Sequence, residues 1–125
     1  MKNTNLEFED IIGRYFNLKV KKQTYRIYVE EAGKGTPLLC LHTAGSDGRQ
    51  FRHILNDKKI TDNYRVIVFD LPWHGKSNPP EGYELNDYKL TTGLYKQIIM
   101  SFCEQYELKS PVIMGCSMGG RVVLH

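Results

Sequence analysis

A chain of 125 residues, 41% apolar and 25% charged, is one soluble globular domain's worth of sequence and long enough to bury a core. The net charge of +3 is mild and its lysines and arginines are scattered; Lys19, Lys21 and Lys22, the densest basic group, alternate with Val20 as a solvated strand face does, which argues against a nucleic-acid partner. No run approaches the roughly 20 apolar residues of a membrane span, Met1 to Asp10 lacks a signal core, and Cys40, Cys103 and Cys116 show no metal-type spacing, so a cytoplasmic protein with no membrane partner and no metal is expected.

Arg14 to Val20 and Gln23 to Glu31 are rich in Tyr, Val, Ile and Phe with partial alternation, which predicts two antiparallel strands joined around Lys21-Lys22. Ala32 to Pro37 reads as a turn by its glycines and proline. Leu38-Leu39-Cys40-Leu41 is continuously apolar, as in a strand buried on both faces, and breaks at His42-Thr43-Ala44-Gly45. Phe51, Ile54 and Leu55 recur at helical spacing behind Asp47, a candidate N-cap, and Asp62-Asn63 is a stop. Tyr64 to Phe69 predicts a second buried strand, ending at Asp70-Leu71-Pro72-Trp73-His74-Gly75-Lys76-Ser77, with Asn78 to Gly82 as loop. From Asn86 to Leu108, Tyr88, Tyr95, Ile99, Phe102 and Tyr106 form one helical stripe widened by Leu94 and Ile98, capped by Asn86 or Asp87 and weakened in its middle by Gly93. That stripe is core packing. Strands alternating with helices imply a mostly parallel sheet with right-handed crossovers.

The chemistry gathers near the end. Val112-Ile113-Met114 is a short apolar strand that stops at Gly115, and Ser117 follows two residues later. Gly119 and Gly120 then open a helix through Arg121-Val122-Val123-Leu124. Strand, sharp turn and helix around Gly-x-Ser-x-Gly is the setting of a nucleophile elbow, in which strained backbone pushes the serine hydroxyl out of the sheet. Side chains at Gly115 and Gly119 would meet neighbouring backbone there. A glycine-rich bend with no chemistry is the plain alternative. A phosphate-cradling turn fits poorly, because Ser117 stands where a second glycine belongs and no Gly-Lys-Ser/Thr follows.

Three segments taken together resemble the α/β-hydrolase superfamily: the strand ending His42-Thr43-Ala44-Gly45, the strand ending Asp70 to Ser77, and Gly115-Cys116-Ser117-Met118-Gly119-Gly120. The resemblance implies an α/β fold: a mostly parallel sheet with antiparallel N-terminal strands and helices on both faces. It implies that residues 1–125 are the amino-terminal portion of a single domain, truncated after the elbow helix. It also implies Ser117 as nucleophile, the N–H groups of Met118 and Ala44 as oxyanion hole, and no metal or organic cofactor. Two residues depart from the family pattern. Thr43 replaces the glycine of the His-Gly turn, and Trp73 replaces a glycine in the second motif, where it lines a pocket or forms a wall of the core. His42, Thr43 and Trp73 are the candidate pocket lining.

The family's order is serine, then acid, then histidine, yet only eight residues follow Ser117, and His125 on the same helix lies about 12 Å along its axis at ~1.5 Å per residue. The acid and base are therefore expected beyond residue 125. His42 or His74 paired with Asp70 is an alternative, against which stands a simpler role for His42 and Asp70 as hydrogen-bonding braces of their loops. The expected function is a serine hydrolase acting on an ester, thioester, lactone or related small-molecule carbonyl substrate. The rival reading is a non-catalytic binding module or inactive fragment of the same fold. The sequence carries no signal of oligomeric state.

Overall fold

The computed structural model describes residues 7–42, 46–72, 74–77 and 91–115. In chain order its elements are β1 (Ile12–Val20), β2 (Gln23–Ala32), β3 (Thr36–Leu41), a 3-10 turn (Gly48–Phe51), α1 (Arg52–Leu55), α2 (Lys58–Thr61), β4 (Tyr64–Phe69), α3 (Thr92–Gln105) and β5 (Val112–Gly115). The five strands form one sheet in the order β1-β2-β4-β3-β5. β1 and β2 are antiparallel from Ile12↔Glu31 to Val20↔Gln23, with Lys21 at φ 55° in the reversal. β2 also runs antiparallel to β4, whereas β3 is parallel to both β4 and β5. This is the expected sheet: an antiparallel start, then parallel strands.

The continuous apolar runs in β3 and β4 follow from a sheet covered on both faces. Leu39 and Leu41 of β3 and Ile67 and Phe69 of β4 face α3, joining Tyr95, Ile98, Ile99 and Phe102 in the larger core cluster. Cys40, Val66 and Val68 face the other way, against Phe51 and Leu55. Phe102 is the hub of the α3 face: its ring stacks on Phe69 at 4.5 Å and on Tyr106 at 4.8 Å between centroids.

Element boundaries differ from expectation where local polar bonds decide them. β3 begins at Thr36, so Thr36-Pro37 belong to the strand; the turn before it is made by Gly33 and Gly35 at φ 96° and 116°. Pro37 sits at the second residue of the strand, near its start, where a missing N–H is tolerated. Asp47 caps the 3-10 turn as expected, accepting from the Arg49 N–H, but Asp57 caps a second short helix the periodicity did not reveal. Thr91, rather than Asn86 or Asp87, caps α3 through its hydroxyl to the Leu94 N–H at 3.0 Å. Gly93 thus lies in the first turn and not mid-helix. Asn86, Asp87 and Tyr88 lie outside the described residues.

The C-terminal end of α3 is fastened to the first two strands. Glu31 accepts from Arg65 Nε at 2.7 Å, from the Tyr106 hydroxyl at 2.5 Å and from Arg14 Nη2 at 3.1 Å. Burial pushes the Glu31 pKa up, but the hydrogen bonds from Arg65 and Tyr106 and the charges of Arg65 and Arg14 outweigh it, and the carboxyl titrates below its ordinary range. Beside this cluster, Gln105 hydrogen-bonds the backbone of Lys19.

Candidate active site

The carboxyl ends of β3, β4 and β5 lie side by side, because Cys40 pairs with Val68 on one flank and Leu41 with Gly115 on the other. Ligands in sheets of this kind gather at that edge. Gly115, the residue from which the Gly-x-Ser-x-Gly turn departs, is thereby held next to the strand end that leads into His42. Ser117, Met118 and Gly119 lie outside the described residues, as do Thr43, Ala44 and Trp73.

Asp70 organises what is described. Its carboxylate accepts the Gly48 N–H at 2.6 Å on Oδ1 and the Lys76 N–H at 2.9 Å on Oδ2. The loop after β3 and the loop after β4 are therefore tied to a single side chain. Its own amide donates to the Tyr28 carbonyl at 2.9 Å, and its carbonyl accepts from the Ser77 hydroxyl at 2.5 Å. Ser77 Oγ in turn accepts from the Tyr28 N–H at 2.9 Å, which closes the Asp70–Ser77 loop back onto β2.

Two glycines make this packing feasible. A Cβ on Gly75 would sit 2.3 Å from Asp70 Oδ2, and the residue holds φ +52°; a Cβ on Gly48 would sit 2.9 Å from Asp70 Oδ1 and 2.8 Å from Val68. Both are pressed against the one carboxylate, and Gly75 also needs the left-handed backbone that side chains disfavour.

His42 is fully buried, and its Nε2 accepts the Leu71 N–H at 3.0 Å. That bond requires a lone pair on Nε2 and so puts the proton of the neutral ring on Nδ1. His74 lies 5.1 Å away between ring centroids, with Nδ1 at 3.0 Å from the Pro72 carbonyl. Both carboxylate oxygens of Asp70 are engaged by backbone amides, which is the brace arrangement. Sequence reasoning named His42 as pocket lining and also as a brace; the bracing contact is the one observed.

An open cleft of about 250 Å³ lies beside these loops, lined by Tyr28, Glu30, Asp47, Arg49, Arg52, Asp70, Gly75 and Lys76. Asp47 is bound in two places by Arg49, with Nη2 to Oδ2 at 2.8 Å and Nε to Oδ1 at 2.9 Å. Those hydrogen bonds hold its carboxyl below the usual range against the opposing effect of burial. Lys76 places its ammonium 4.8 Å over the Tyr28 ring. Arg49, Lys76 and Tyr28 were not singled out from sequence; nothing in their spacing marks them, since β2 and two separate loops bring them together. Gly75 and Ser77, by contrast, stand in the second motif that the sequence itself marks.

Among the described residues no cluster of three or more His, Cys, Asp or Glu could hold a metal ion.

Comparison with known proteins supplies the remaining context. The family model for the alpha/beta hydrolase fold matches residues 36–125. The AB hydrolase superfamily protein YisY of Bacillus subtilis is 29% identical over 99 residues, which cover 78% of this chain and 34% of that protein. The magnesium-chelatase 30 kDa subunit of Rhodobacter capsulatus is 31% identical over 90 residues, 72% of this chain and 29% of its own. Among solved structures, a variant of the N-acyl homoserine lactonase AidH complexed with N-hexanoyl homoserine superposes with a TM-score of 0.74 at 31% identity, covering 90% of this chain and 39% of that one. The chain thus spans about a third of the length of the relatives it matches. Motifs, sheet order and family match agree: the chain belongs to the α/β hydrolase fold family.

Proposed function

We propose that this chain is the amino-terminal portion of a single hydrolase domain and carries the nucleophile of a serine hydrolase. Ser117 attacks the carbonyl carbon of an ester, thioester, lactone or related small-molecule substrate and forms an acyl-enzyme. Its proton passes to a histidine beyond residue 125, oriented by an acid that also lies there. The N–H groups of Met118 and Ala44 hold the developing oxyanion, a contribution of about 3–4 kcal/mol per donor. The chemistry calls for no metal or organic cofactor. The protein acts in the cytoplasm; among the described residues no helix is long and apolar enough to cross a membrane.

The observation that carries this reading is the parallel pairing of Leu41 with Gly115. It brings the strand end that feeds Ser117 beside the strand end that feeds Ala44, as an elbow and its oxyanion loop require. The likeness to a lactonase supports a cyclic or linear ester as substrate class.

A fluorophosphonate probe that reacts only with an activated serine tests it. The 125-residue chain is expected to label weakly or not at all, an extended gene product strongly, and Ser117→Ala in the extended product not at all. Strong labelling of the short chain would overturn the placement of the base. The second reading is a binding module that kept the fold without the chemistry. An extended product that folds but does not label would establish that reading instead.

A further inference from the structure

β1 is an edge of the sheet: among the described residues it pairs with β2 alone. Nine residues long, it also exposes apolar groups, with Ile12 59% and Tyr15 42% accessible. Such an edge is a template for pairing with another chain. Its outward backbone is not left open throughout. The Lys19 N–H donates to Gln105 Oε1 at 3.0 Å, and Gln105 Nε2 donates back to the Lys19 carbonyl at 2.6 Å. One side-chain amide thus supplies both the acceptor and the donor that a neighbouring strand residue would supply, from 86 positions away in sequence.

We propose that Gln105 is a surrogate strand partner that keeps the β1 edge from pairing with β1 of a second copy. In an antiparallel ladder both backbone groups of a residue point to the same side, and the side alternates along the strand. Since Lys19 points outward, Gly13, Tyr15 and Asn17 share its direction. A two-fold antiparallel pairing that uses the whole strand sets Lys19 of each copy against Gly13 of the other, and Tyr15 against Asn17. Occupying Lys19 therefore removes both ends of that ladder at once. The end of α3 is held at this flank independently, by the Tyr106 hydroxyl on Glu31 and by Arg14, so the amide is delivered to the edge by an anchored helix. Lys19 and Arg14 add charge to the same strand, a second deterrent to pairing.

The test is the association state of Gln105→Ala in the intact protein, followed by sedimentation velocity over a hundredfold range of concentration. Gln105 is exposed, so the variant is expected to keep the wild-type circular dichroism. Its weight-average mass should rise with concentration where the wild type's does not, and exchange of the Lys19 amide should quicken about three- to tenfold at low concentration, as for one lost hydrogen bond. Adding Lys19→Pro, which removes the outward N–H at an edge position that tolerates proline, should restore wild-type sedimentation. If Gln105→Ala does not fold, Gln105→Met is read in its place, since a thioether of similar length cannot donate to the Lys19 carbonyl and is at most a weak acceptor for its N–H. Sedimentation indistinguishable from wild type in the folded variant overturns the proposal, whatever the exchange rate. Association that survives Lys19→Pro overturns it too, because the contact then lies elsewhere.

Discussion

At the scale of single residues, the dependence of two loops on the Asp70 carboxylate makes its neighbours intolerant of small changes. Gly75→Ala forces a side chain into left-handed backbone and against Oδ2, and should cost about 2–3 kcal/mol in urea unfolding. Gly48→Ala meets the same carboxylate and the Val68 side chain but from ordinary backbone, and should cost less. Equal costs for the two would show that φ at Gly75 is not the controlling factor. Asp70→Ala leaves the Gly48 and Lys76 amides without their acceptor, a loss of about 2–4 kcal/mol. The resemblance of Asp70 to Ser77 to the family's second motif marked Asp70, Gly75 and Ser77 as a spaced set, and the structure shows the loop closing on its own first residue through them. The sequence disclosed nothing of Arg49 or Tyr28, whose neighbours are set by the sheet order and not by nearby residues.

At the scale of elements, strands were far more legible than helix ends. Tyr64–Phe69 matches expectation residue for residue because Val66 to Phe69 is an unbroken buried apolar run and a polar residue, Asn63 or Asp70, stops the strand on each side. Helix starts depend on which of several polar residues turns its side chain onto the backbone. Asn86, Asp87 and Thr91 are all competent caps by composition, and only the Thr91 hydroxyl is seen to cap α3. Thr91→Ala should lower stability by about 1 kcal/mol, read as a shift in the thermal midpoint. The fastening of α3 to β1 and β2 adds a pH dependence. Glu31 has a lower pKa folded than unfolded, so its contribution is complete above the unfolded carboxylate value and is lost as pH falls through the folded value. The urea midpoint of the wild type should therefore drop more steeply on acidification than that of Glu31→Gln. Parallel curves for the two proteins would mean that the cluster contributes packing without charge linkage.

At the scale of the whole molecule, agreement among three separated motifs was what made the fold readable, and the structure bears out its architecture down to the change from antiparallel to parallel pairing. The strand order could not be read from composition, since every buried strand looks alike. That order has a consequence for synthesis. β3 lies between β4 and β5, and Leu39, Cys40 and Leu41 are no more than 1% accessible once both are in place. Emerging from the ribosome, β3 stays bare on one flank after β4 arrives, until Val112–Gly115 has followed. A nascent chain arrested anywhere between residues 70 and 111 would thus present a half-sheltered apolar ribbon, the kind of segment that holdase chaperones bind.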